Sequence, residues 1–499
     1  MIRMKPRVVR LVWAWLFLVL IPRIGAATHR PPNIVFIIAD DLGYGDLGCF
    51  GQKHIRTPNL DRLAQDGMRL TRLYSGNAVC APSRCVLMTG RHPGHAVVRD
   101  NREVQPEGQV GLPAGMTTLA RIFQSRGYVT GAFGKWGLGS PESDGAPLRQ
   151  GFDRFFGYNC QRQAHNHYPP YLWDNDRTLT LQNPRFSAYQ QLPKDADAAD
   201  PKSYQAYSGT DYAPDLIHEQ ALRFIRDNRH RPFFCFIPTT IPHLALQVPE
   251  DSLREYAGSF PETPYRGDQS YLPHRTPHAA YAAMISRMDQ EIGRVVALVD
   301  ELGLREDTLI VFTSDNGPLW DRTGGTDTAF FNSNAGLRGR KGSLYEGGVR
   351  VPGIVAWPGH IHPRTESRRR IGFEDWLPTL MELAGWRDKI PKGLDGVSFA
   401  PTLLGRHQSE RGFLYREFPA YGGQQAVWVG PWKAVRQKLT VKNEPVVLRT
   451  ELYHLEDDPQ ETHDVAAEHP RRLAALERLL AREHVPSRDF PIPILDTPK

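Results

Sequence analysis

Hydrophobic residues along this chain fall into short continuous runs that alternate with stretches of helical period. NIVFIIA (33–39) is β-branched and aromatic throughout, as expected of a strand buried on both faces. YVTGAFG (128–134), PFFCFIP (232–238) and TLIVFTS (308–314) read the same way. Helical periodicity predicts helices over 117–126, 213–228, 279–303 and 373–385. TPNLDRLAQDG predicts another, with Thr57 as N-cap and Pro58 in the first turn. This alternation implies an α/β fold, a large mixed, mostly parallel sheet flanked by helices.

The pattern changes near residue 405. LYREFP, QAVWVGPWKAVRQK and VVLRTELYHL read as short strands, followed by a helix over 470–483, so a smaller C-terminal α+β subdomain is expected over 408–499. The main domain is then 28–407. Within it, 158–212 is rich in Asn, Gln, His, Tyr and Pro without periodicity, and reads as a long irregular insertion.

Residues 1–27 have a basic start, a short apolar run and small residues at the end, the pattern of a secretory signal peptide. An exported, periplasmic or secreted protein with no membrane association after cleavage is expected. The leader carries Arg3, Lys5, Arg7, Arg10 and Arg23 and no acid, so its loss takes the formal charge from +6 to +1. A near-neutral chain gives no support to nucleic-acid binding. Five cysteines are too few for a disulfide-stapled scaffold.

Three expected strands lead into polar residues: Asp40-Asp41, Asp315-Asn316 and, a few residues on, His243. In open α/β sheets, ligands bind beyond the carboxyl ends of the strands. Oxygen donors of this kind suit a hard divalent ion such as Ca²⁺ or Mg²⁺, although Asp and Asn also cap helices and shape turns. Lys135 in FGKWGLG and Lys341 between glycines in LRGRKGSLYEGG add positive charge. Cations gathered on a metal point to an anionic ester substrate. In AVCAPSRCVLMTGRHPGH (78–95), Pro82 favours a helical first turn, which places Cys80 at or beside a helix N-terminus. A thiolate would be a poor partner for an oxygen-ligated cation.

The segment CAPSRCVLMTGR (80–91) resembles the signature of the type I, formylglycine-dependent sulfatases, C-x-P-S-R followed by L-x-T-G-R. ADDLGYGDLG, GKW, SDNG, GRKGSLYEGGVR and ELYHLEDDPQETHDVA resemble further segments of that family, in its order. The resemblance implies an alkaline-phosphatase-like fold and hydrolysis of sulfuric esters. It implies that a maturation enzyme oxidises Cys80 to formylglycine (3-oxoalanine), and that Asp40, Asp41, Asp315 and Asn316, with the modified Cys80, ligate Ca²⁺. It further implies that Arg84 holds the formylglycine hydrate, Lys135 and Lys341 grip the sulfate, and His243 stands near the leaving oxygen as a general acid with Lys341.

Many family members carry histidine two residues after the GK lysine, where this chain has Gly137. His165 and His167 are the candidates to replace it, with His95 behind them. The GYNCQRQAHNHYPPYLW stretch resembles that of secreted bacterial sulfatases acting on polysaccharide fragments, some of the galactose type. The expected partner is therefore a sulfated carbohydrate, with galactose or N-acetylgalactosamine units, and Arg99, Asn101, Gln161, Arg162, His165 and His167 are candidate contacts. Two other readings compete: a phosphomonoesterase or phosphodiesterase on a related scaffold, and a glycan-binding relative with a dead site.

Overall fold

The run NIVFIIAD forms strand β1 (Asn33–Asp40), buried along its whole length. Alternate residues serve different layers: Val35 and Ile37 enter one hydrophobic core, Ile34, Phe36 and Ile38 another on the opposite face. The other strands of its sheet are β2 (Met68–Tyr74), β3 (Val129–Lys135), β4 (Arg154–Tyr158), β5 (Tyr171–Asp174), β6 (Arg177–Thr180), β7 (Phe233–Pro242), β8 (Thr308–Ser314), β9 (Arg350–Ala356), β10 (Thr365–Ser367) and β11 (Ile371–Gly372). Their order is β10-β2-β9-β8-β1-β7-β3-β4-β5-β6, with β11 beside β2. Strands β8, β1, β7, β3 and β4 run parallel, and β9, β5 and β6 are antiparallel to their neighbours.

Helices cover both faces. Leu60 and Leu63 of helix Pro58–Gln65, Ile217 and Ala221 of Ala213–Asp227, and Ile285 and Ile292 of Pro277–Glu301 close one core. Helices Cys80–Thr89, Leu119–Ser125 and Trp376–Leu383 close the other, where Trp376 meets Phe36 edge-on at 5.1 Å. The helix expected over 279–303 starts at Pro277, because proline suits the first turn. That expected over 373–385 is a 3₁₀ turn, Phe373–Asp375, continued by Trp376–Leu383.

The structure is a computed structural model describing residues 31–440 and 447–497, so the expected leader lies outside the described residues. From Pro31 onward the chain forms one unit. The 158–212 stretch is less irregular than expected, since the β5–β6 hairpin extends the sheet. Every residue of β6 is exposed, so no hydrophobic alternation could announce it. Strands β12 (Leu414–Phe418), β13 (Gln424–Val429), β14 (Trp432–Arg436) and β15 (Thr450–His454) form a second, antiparallel sheet. Leu476 and Leu480 of helix Pro470–Arg482 pack on one of its faces; the other rests on Tyr74, Val79, Leu344 and Val349. Buried ion pairs pin the seam: Arg416–Glu374 at 3.0 Å, Arg99–Glu417 at 2.5 Å and Lys433–Glu346 at 3.1 Å. All five cysteines are free thiols, and no helix among the described residues is long and apolar enough to cross a membrane.

Candidate active site

Parallel strands deliver their carboxyl ends to one edge, and there the polar residues collect. Strand β1 ends in Asp40, where its register against β7 slips, and the chain then turns through Asp41 at φ 65°. Strand β3 ends in Lys135, β8 runs into Asp315-Asn316, and β7 into His243. Helix Cys80–Thr89 starts at the same edge, its Ala81 N–H donating to Asn101 Oδ1 at 2.8 Å. Lys341 arrives on a loop whose backbone is held by Lys341 N–H to Pro318 O and Gly342 N–H to Ala78 O, each 2.8 Å.

These groups converge on Cys80, which is 1% exposed. Its Sγ lies 3.2 Å from Asp40 Oδ1, 3.6 Å from Lys135 Nζ and 3.5 Å from Lys341 Nζ. Lys135 Nζ donates to Asp40 Oδ2 at 2.5 Å, and Lys341 Nζ to Asp41 Oδ2 at 2.8 Å. Arg84 donates through Nη2 to Asp315 Oδ2 at 2.8 Å and through Nη1 to the Lys135 carbonyl. Asn316 Nδ2 donates to Asp41 Oδ1 at 2.7 Å.

Burial would raise the Asp40 carboxyl, but Lys135, Arg84 and Lys341 together hold it well below the usual carboxylate range. Asp315 has less compensation, and burial with the charge of Asp40 pushes it up to about 6. Burial opposes charge on Lys341, yet Asp41 and its neighbours keep it firmly protonated. Burial and Asp40 drive the Cys80 thiol far above its ordinary value, so the side chain is no thiolate nucleophile here. Burial, Lys341 and Lys135 depress His243 and keep its imidazole neutral. Its Nδ1 hydrogen-bonds the Leu244 carbonyl at 2.8 Å, which makes Nδ1 the donor and leaves Nε2, 3.4 Å from Asp41 Oδ2, as the ring nitrogen on the acidic cluster.

The donor set fits a hard divalent ion. Asp40, Asp41, Cys80 and His243 lie close enough to share one. Asn316 Oδ1 is buried without a hydrogen-bond partner, an acceptor left over in a site otherwise paired. Three carboxylates, Asp40, Asp41 and Asp315, face three cations, Lys135, Lys341 and Arg84. A divalent ion would tip that balance positive, as an anionic ester requires.

The sulfatase family model matches residues 32–386. This chain belongs to the sulfatase family. A second model, the C-terminal region of N-sulphoglucosamine sulphohydrolase, matches residues 340–483. Human arylsulfatase A is 33% identical over 492 residues, covering 91% of this chain and 88% of that protein. Human N-acetylgalactosamine-6-sulfatase is 31% identical over 431 residues, 82% of this chain and 74% of that protein. Among solved structures, Ps i-CgsB in complex with k-i-k-neocarrahexaose superposes with a TM-score of 0.71 at 26% identity, covering 91% of this chain and 92% of that one. The present sulfatase is thus an enzyme that hydrolyses sulfate esters.

Other residues singled out from the sequence fare differently. His165 stacks on His243, ring centroids 4.6 Å apart and planes 8° from parallel, with Nδ1 2.5 Å from Tyr189 Oη. His167 is fully buried; it bonds the His243 carbonyl at 3.0 Å and Thr240 Oγ1 at 3.2 Å. It supports the His243 backbone and is not a substrate contact. Arg99 is likewise corrected: it is buried, and its guanidinium is spent on Glu417 and the carbonyls of Gly94, Ala96 and Val485. Asn101 is occupied at the start of the Cys80 helix. His95 is drawn off by Asp395 at 2.9 Å. Arg162 is exposed, beside Glu103 and over the Tyr189 ring.

Gln161 fills the room beside Gly137. A Cβ at Gly137 would stand 2.0 Å from Gln161 Nε2, and neither polar atom of that buried carboxamide has a partner. Sequence reasoning missed Tyr271, whose ring lies 6.0 Å from that of His243, and Tyr421, which lies against Gly342 next to Lys341. The Gly422-Gly423 pair after Tyr421 was the available signal, marking a tight turn.

Proposed function

We propose that this sulfatase is an exported, Ca²⁺-dependent carbohydrate sulfatase that removes sulfate from galactose or N-acetylgalactosamine units of a glycan, with Cys80 matured to formylglycine. The observation that carries this reading is the placement of Cys80 Sγ between the ammonium groups of Lys135 and Lys341, over the carboxylates of Asp40 and Asp41. A sulfate group delivered to position 80 would meet a cation on either side. The neocarrahexaose complex of one structural relative and the N-acetylgalactosamine-6-sulfatase relatives support a sulfated glycan as substrate.

Asp40, Asp41, Asp315 and Asn316 would hold Ca²⁺ through oxygen, the last through its orphaned Oδ1. When present, the ion and the hydrated formyl group would supply charge neutralisation and a nucleophilic oxygen. The chain's own residues do the rest. Lys135 and Lys341 bind the non-bridging sulfate oxygens and offset the charge that grows on them. Arg84 braces Asp315 and lies 3.5 Å from Asp40, so it keeps two ligand carboxylates in position. A bound anionic ester offsets the two ammonium groups that depress His243, moving the imidazole towards the protonated form a general acid needs.

The test is turnover of a panel of defined sulfated mono- and disaccharides, with and without Ca²⁺, alongside matched phosphate esters. Sulfate release from galactose-type sugars that falls on chelation is the expected result. Release of phosphate with no sulfate release would overturn the reading.

A further inference from the structure

Tyr271 and Tyr421 share an uncommon backbone state. Among the described residues they are the only aromatic ones with a left-handed φ, 63° and 52°. For a bulky side chain this conformation is a genuine outlier, and strain of that kind collects where function demands it.

Both border the catalytic cluster, Tyr271 beside His243 and Tyr421 beside Gly342, the residue after Lys341. Tyr271 comes from the catalytic domain, its half-buried ring 5.3 Å from His165 and 6.0 Å from His243. Tyr421 comes from the connection between β12 and β13 of the second sheet. Its ring lies on Phe418, 5.5 Å away and 28° from parallel, and Gly342, next to Lys341, lies against its edge: a Cβ there would stand 3.2 Å from Cδ1.

The surroundings hold each strained turn. Ser270 is also left-handed, at 69°, and its carbonyl accepts from Tyr265 Oη. Gly422 and Gly423 follow Tyr421 in the same region, tied down by Thr440 N–H to Gly422 O at 2.8 Å and Leu439 N–H to Gly423 O at 3.0 Å. Despite this anchoring Tyr421 is 63% exposed. A large apolar ring fixed in a strained turn, supported from beneath and open above, presents its face to something outside the protein.

We propose that Tyr271 and Tyr421 are the two walls of the subsite that holds the sulfate-bearing sugar ring, Tyr421 stacking on its C–H face and Tyr271 closing the side nearest His243. The assignment rests on the carbohydrate reading above and makes the second sheet part of substrate recognition. Tyr421 is a positioning residue: it orients the ester for the groups around Cys80 and leaves the sulfate-binding cations unchanged.

The test compares wild type with Tyr421→Ala and Tyr421→Phe on a sulfated galactose-type disaccharide and on 4-methylumbelliferyl sulfate, with competitive inhibition by inorganic sulfate as the probe of the sulfate pocket. Tyr421→Ala should raise KM for the disaccharide about tenfold while the inhibition constant of inorganic sulfate stays within about twofold, and Tyr421→Phe should keep the wild-type KM. An unchanged disaccharide KM in Tyr421→Ala, or sulfate inhibition weakened in parallel, overturns the proposal. A wild type that hydrolyses the aryl ester but no sulfated saccharide overturns the sugar assignment. One that hydrolyses neither overturns the sulfatase reading itself.

Discussion

The carboxamide of Gln161 occupies the room that any side chain at position 137 would need. Gly137 has a φ of 76°, and a Cβ there would collide with Gln161 Nε2. Two residues earlier, Lys135 contacts Cys80 Sγ, so Gly137 sits at the edge of the catalytic cluster.

Gly137→His alone should therefore destabilise the protein by about 1–3 kcal/mol, the range for overpacking. Gln161→Ala added to it should recover part of that loss, because it empties the contested volume. Denaturant melts of the two single variants and the double variant measure the coupling. Strict additivity would show that the two positions do not compete for space.

Cys80 sits where modification would turn a buried, neutral thiol into a reactive group. Peptide mass spectrometry across residue 80 should find the formyl form in active preparations. Cys80→Ala should lose at least about a thousandfold in kcat. Full turnover by protein carrying only unmodified cysteine would contradict the mechanism.

Metal removal should act on stability as well as on rate. A ligand at 100 times its Kd stabilises by about 2.7 kcal/mol, so Tm should rise with added Ca²⁺ and fall on chelation. Asn316→Ala, which deletes the unpartnered oxygen, should weaken that response. Asp40→Asn should weaken it more, because it keeps one oxygen but removes a full ligand charge.

Glu374 lies at the seam between the two sheets and accepts from Arg416 at 3.0 Å and Arg411 at 3.3 Å. Burial works against its charge, but the two guanidinium groups win and hold its pKa down to about 2. A depressed carboxyl contributes stability above its unfolded value of about 4.5, and that contribution drains away as pH falls towards 2. Glu374→Gln would leave Arg416 buried beside a neutral partner and should cost about 3–5 kcal/mol at neutral pH. The cost should shrink in acid, which pH-dependent urea melts would show.

Much of this molecule was legible in its chain. Apolar runs such as NIVFIIA are local and uninterrupted, so strands and the parallel sheet could be read directly. Asp40, Lys135 and Asp315 end or follow such runs, and parallel strands carry their ends to a common edge, so their meeting was foreseeable. The hairpin β5–β6 was not, because a fully exposed strand carries no hydrophobic period.

Side-chain commitment was the other blind spot. Arg99 looked free as a sequence position, but Glu417, 318 residues further on, takes it. Nothing near Gly137 in sequence announces that Gln161 fills its place, and nothing near Lys341 announces Tyr421. Local pattern alone determined the central strands β1, β3, β7 and β8, the helix that starts at Cys80 and the residue types that gather for an anionic ester. Tertiary structure decided which cations stay available, what stands at Gly137 and which aromatic rings border the site, because those outcomes depend on contacts between separate segments of the chain that no local pattern records.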